Sequence, residues 1–120
     1  MTTNFKGDGK TILKTVSGSA VVGGAPFIAG NLLAVYASDA AVGAKVAAHI
    51  QGAHTLPAVS ADVIAQGEKV KFDHTGLNVR AAAFAGTTGD LIGCGVCLVA
   101  KGSGETTVTI LLTPGVATVQ

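Results

Sequence analysis

The stretch Lys45-Val46-Ala47-Ala48-His49-Ile50-Gln51 alternates without a break. Lys45, Ala47, His49 and Gln51 fall on one face; Val46, Ala48 and Ile50 fall on the other. A period of two with one polar face is the pattern of a half-buried β-strand. Gly52 breaks or bulges the run before Ala53, His54, Thr55 and Leu56, and Pro57 ends it.

The same reading extends in both directions. Toward the N-terminus, residues 12–16 alternate, with Ile12, Lys14 and Val16 opposite Leu13 and Thr15. Val21-Val22, Gly23-Gly24 and Ala25-Pro26-Phe27-Ile28 read as strand, tight turn, strand. Gly30-Asn31 is a second turn, followed by a mostly apolar strand over residues 32–37, and a loop opened by Ser38-Asp39 closes at Gly43. Toward the C-terminus, residues 60–66 are the best helical candidate, with Ser60 as N-cap, over at most two turns. Residues 69–73 and 77–80 are strands around a His74-Thr75-Gly76 turn, and the weakly patterned residues 81–89 are a loop. Residues 91–100 and 106–112 form a hairpin across Gly102-Ser103-Gly104, and the segment after Pro114 reads as a loose end.

Short strands recurring every 8–12 residues or so predict an all-β fold, a compact small β-barrel, β-tulip-like domain or sandwich. Its organisation is an extended N-terminal arm (residues 1–10), a single β domain (11–113) and a C-terminal tail (114–120), with at most one or two short helical turns. No linker, composition shift or fixed-period repeat divides the chain.

Composition narrows the function. Of the 120 residues, 48% are apolar but only 12% are charged, against a usual share of roughly 25%. Eight Lys and Arg against seven acids leave a net charge of +1, too little for a phosphate-neutralising surface or for disorder. No stretch approaches the ~18 apolar residues of a membrane span, and residues 1–10 lack an apolar leader. The apolar content rests on 20 Ala and 15 Val, with four Phe, one Tyr and no Trp. Small side chains bury little area each, so a core of this kind leaves apolar surface over. That predicts oligomerisation or docking on a larger surface.

The candidate chemistry is sparse. Cys94 and Cys97 form a C-x-x-C, but within a β-type run, where three residues span ~10 Å and the two side chains point to opposite faces. No second pair completes a zinc site, so both read as buried apolar thiols. His49, His54 and His74 read as surface residues that would together make assembly sensitive to pH near about 6. No G-x-S-x-G, P-loop, G-x-G-x-x-G or paired carboxylates appear, so no catalytic, cofactor-binding or metal residue is assigned. The polar start offers one functional reading: an arm, anchored by Phe5, that adds to a neighbour's sheet edge.

An ordered set of features then resembles a known family. They are Asn4-Phe5 with Gly7-Asp8-Gly9, Val21-Val22-Gly23-Gly24-Ala25-Pro26, and Gly30-Asn31-Leu32 leading to Asp39-Ala40. Gly43, Gly52, Leu56-Pro57 and Gln66-Gly67-Glu68-Lys69-Val70 follow, then Leu91-Ile92-Gly93 and Gly104-Glu105-Thr106-Thr107-Val108. The chain is similar to the tailed-phage capsid cement, or head decoration, proteins, a group sometimes labelled recombinase-related. Cys94, Cys97 and the tail depart from the pattern. The resemblance implies a non-enzymatic virion protein on the capsid exterior, in the host cytoplasm during assembly, that binds the major capsid protein and reinforces the shell. It further implies a homo-oligomer, with a trimer favoured over a dimer, no cofactor, and neither nucleic acid nor membrane as partner. Asn4, Phe5, Lys6 and Asp8 are the expected capsid or subunit contacts. The alternatives are a head-fibre base or tail-associated protein and, from another class, a DNA-recombination accessory factor or nuclease.

Overall fold

The computed structural model describes residues 10–120. It is all-β, with ten strands in two antiparallel sheets and no helix among the described residues. The strands are β1 (Thr11–Thr15), β2 (Pro26–Ala29), β3 (Leu32–Tyr36), β4 (Lys45–His49) and β5 (Gly52–Pro57). They continue with β6 (Lys69–Asp73), β7 (Asn78–Arg80), β8 (Leu91–Cys97), β9 (Thr107–Leu112) and β10 (Thr118–Val119). Sheet I has the order β1-β4-β3-β2; sheet II has the order β5-β9-β8-β6-β7, with β10 added beside β8.

The alternation over residues 45–51 decides how the sheets are used. Val46, Ala48 and Ile50 are buried in a small core on one face of sheet I, with Ala34, Tyr36 and Phe27. Val21, Ala25 and Ala40 from the flanking loops pack against this core, and Phe27 stacks on Tyr36 with centroids 4.3 Å apart. The opposite face of β3 presents Leu33 and Val35 to the larger core inside sheet II, which holds Leu56, Phe72, Leu91, Ile110 and both cysteines. Gly52, at φ 92°, redirects the chain from β4 in sheet I to β5 in sheet II. Sheet II curls, and a single parallel bridge from Ala58 to Val79 brings β7 back toward the end of β5. The arrangement is sandwich-like rather than a closed barrel.

Four expectations change. Residues 60–66 are turns, not a helix. Their backbone is diverted to the bridge between Ile64 and Lys101, whose buried ammonium donates to the carbonyls of Ser60, Asp62 and Gly102. Val21 does not pair with β2; it bridges Ala40, and β2 pairs with β3 across Gly30-Asn31. The tail is not loose. Thr118 and Val119 pair with Ile92 and Leu91, and Ala117 is buried. Finally, Cys94 and Cys97 do not face opposite sides. The register against β6 jumps from Val70↔Gly95 to Lys71↔Ile92, leaving Gly93 and Cys94 as a bulge with Gly93 at φ 74°. This two-residue bulge interrupts the alternation at Cys94 and turns both thiols into one core.

Candidate contact surface

The expected contacts Asn4, Phe5, Lys6 and Asp8 lie outside the described residues. They precede β1, the outermost strand of sheet I, which pairs only with β4 among the described residues. Both of its faces are at least partly exposed, and Leu13 at its centre is 74% exposed.

A second surface is the outward face of sheet II. The registers Val96↔Leu111↔Ala53 and Thr109↔Thr55 set these side chains side by side, pointing away from the core. The hydroxyls of Thr55 and Thr109 are 2.9 Å apart and bond across the strands. Alternation again explains the surface. Val108, Ile110 and Leu112 of β9 are buried, so Thr107, Thr109 and Leu111 must face out. Over β5, β9 and the end of β8 this face carries small, β-branched and aliphatic side chains, with Lys69 at its margin beside Val96 and Lys71 and Arg80 farther along the sheet.

A third feature is an open groove of about 430 Å³ lined by Ala20, Val21, Val22, Asp39, Ala40 and Ala41. Asp39 accepts a hydrogen bond from the Gly23 amide, which fixes the carboxylate at the rim.

The charged side chains are mostly committed to holding loops. Asp90, fully buried, accepts bonds from the His74 amide at 3.0 Å, from His74 Nδ1 at 2.5 Å and from the Thr87 amide at 2.7 Å. Burial pushes the Asp90 carboxyl up, but the His74 and Thr87 donors outweigh it and hold the group below its ordinary value. Asp73, His74 and Asp90 offer metal-donor atoms within 4.8 Å of one another. However, both oxygens of Asp90 already accept N–H bonds, and the arrangement works as a staple between the β6–β7 turn and the loop before β8. Asp62 pairs with Arg80 at 2.8 Å, which with the Ala81 amide lowers its pKa, and the Arg80 guanidinium stacks 3.9 Å from the Phe84 ring centroid. Neither network contributes to the lining of the Ala20–Ala41 groove.

The sequence reading missed two histidine relationships. His74 is bonded to Asp90, and the rings of His49 and His54 stack at 5.7 Å across the join between the sheets. The spacing of 16 residues carries no signal for the first. The second was open to inference, because the two histidines flank Gly52, where the chain turns from β4 into β5. Cys94 and Cys97 are free and buried, as their composition-based reading holds. Burial pushes the Cys94 thiol up to about 12 and the Cys97 thiol upward as well.

Comparison with known proteins found no match among curated proteins and none among solved structures. The family described as phage cement protein does match, over residues 6–112. That span runs through nine of the ten strands and both sheets. With its all-β fold and this match over most of its length, the chain belongs to the phage cement protein family.

Proposed function

We propose that this protein attaches to the outer surface of a phage head, against the major capsid protein, and stabilises the shell without catalysing any reaction. The observation that carries the reading is the outward face of sheet II around Thr55, Thr109 and Leu111, where three strands set uncharged side chains side by side. A face of this kind suits extended contact with a regular lattice. A structural role is what membership of the cement family indicates. Many weak contacts, repeated by symmetry, add through avidity without a strong single site. Binding to the assembled lattice and not to its separated subunits raises shell stability by mass action. The arm, residues 1–10, supplies a second contact through Asn4, Phe5, Lys6 and Asp8, with Phe5 as anchor. The protein acts as a homo-oligomer, folds in the host cytoplasm during assembly, and ends on the virion.

The test adds purified protein to expanded capsids that lack it and follows co-sedimentation and capsid melting. Co-sedimentation with a raised melting temperature is expected. Protein left in the supernatant, with unchanged melting, overturns the proposal. Removing residues 1–9 should weaken capsid binding while the melting of the isolated protein stays nearly the same; undiminished binding removes the arm from the reading.

A further inference from the structure

We propose that β1 is a seam between two copies of this chain, paired antiparallel about a two-fold axis through Leu13. Backbone parity is the starting point. Lys10 accepts a bond from the Ile50 amide, and Val16 donates to the Ala44 carbonyl. Even-numbered residues of β1 therefore bond to β4, and Thr11, Leu13 and Thr15 turn both their N–H and C=O groups outward. These groups have no partner among the described residues.

The strand is self-complementary. Its sequence, Thr11-Ile12-Leu13-Lys14-Thr15, has threonines at equal distances from a central leucine. Antiparallel pairing about Leu13 sets it opposite its own counterpart and Thr11 opposite Thr15 of the second copy. In each of these pairs both N–H···O bonds can form. The side chains agree with the register. Leu13, the most exposed large apolar residue among those described, is brought against a second Leu13, with Ala47 beside it on β4.

Open edges are usually guarded by proline, bulges or a charge. β1 has no proline and no register shift. Its one internal charge, Lys14, lies on the other face, with its ammonium 5.8 Å from the Phe27 ring centroid. The edge also lies clear of sheet II, which meets sheet I through β3 and β8.

A five-residue ribbon alone falls short of the ~1,200 Å² that a stable interface buries. The seam is therefore a weak contact, populated in a concentration-dependent way, and a second copy is the occupant that the edge fits. The seam does not depend on capsid attachment.

Cysteine cross-linking of the full chain tests the register. Directly opposed residues in a bonded pair have Cα atoms about 5.5 Å apart, within the range a disulfide spans. Leu13→Cys should cross-link to a covalent dimer under mild oxidation, while Thr11→Cys alone, displaced by four residues from its counterpart, should not. The native cysteines are buried and stay out of the reaction. Leu13→Pro removes only an outward N–H, so the monomer should melt nearly as before while its dimer dissociation constant rises about tenfold or more. A strictly monomeric wild type by light scattering overturns the seam, as do equal cross-linking of both cysteine variants or an undisturbed dimer in Leu13→Pro. Capsid co-sedimentation without Leu13→Cys cross-linking rejects the seam and leaves the cement reading standing.

Discussion

His74 and Asp90 are joined Nδ1 to Oδ1 at 2.5 Å, binding the turn after β6 to the loop that feeds β8. The Asp90 carbonyl also accepts the Gln120 amide, and the Gln120 carbonyl accepts the Gly89 amide, so the same residue anchors the strand pairing of β10. A fully buried carboxylate with this many donors is worth more to the fold than its one charge suggests.

Replacing it should show this. Asp90→Asn keeps the shape but turns an acceptor oxygen into a donor facing N–H groups, and is expected to cost about 1–3 kcal/mol at neutral pH. Chemical denaturation compares the two proteins.

The pH dependence follows from the sign of the shift. Asp90 and Asp62 are both held below their ordinary values in the folded protein. Each therefore contributes stability that is complete above the unfolded value of about 3.9 and is lost as pH falls through the folded value. Stability should decline on acidification below about pH 4, and Asp90→Asn should flatten that decline. Thermal melting across the acid range measures both effects.

Cys94 should resist thiol reagents. Burial raises its pKa to about 12, so almost no thiolate exists at pH 8, and Cys97 is shifted the same way. Labelling by an aromatic disulfide is expected to follow global unfolding, with both thiols reacting together in denaturant. Fast labelling of the native protein would contradict the buried placement.

Leu77 is the one non-glycine residue with a left-handed backbone among those described, at φ 54°. It is 47% exposed, so little burial offsets the strain. Leu77→Asn, or Leu77→Gly, should therefore stabilise the protein by about 0.5–1 kcal/mol, seen as a higher melting temperature.

Gly95 is retained for space. A Cβ there would lie 2.9 Å from the Leu111 carbonyl oxygen and 3.0 Å from Ile110 Cδ1. Gly95→Ala should push β8 from β9 and cost about 1–3 kcal/mol, measured by denaturant titration.

Much of the fold was legible because alternation is a local property. The faces of β1 and β4, the Gly30-Asn31 hairpin and the pairing of β8 with β9 all follow from side-chain period and turn chemistry. What was not legible depended on events outside the local window. The Ser60 cap pattern gave way to the Ile64–Lys101 bridge, because the Lys101 ammonium needs carbonyls that a helix would have used internally. Strict alternation failed at Cys94, where Gly93 admits a bulge that only the partner strand reveals. The tail looked loose because two residues carry no periodic signal, although they complete a pairing on β8. For the proposed contact surface, alternation implied that Thr107, Thr109 and Leu111 face outward, but that they lie beside Ala53, Thr55 and Val96 required the registers of three strands.

On the proposed reading, that outward face has a consequence for the salt dependence of attachment. A contact made through Thr55, Thr109, Leu111 and Ala53 has almost no ionic component for dissolved ions to screen. Concentrated sulfate or phosphate, which strengthens apolar burial, should tighten such a coat rather than strip it. If this face is the one that meets the capsid, as proposed, the scarcity of charge makes the attachment largely indifferent to ionic strength.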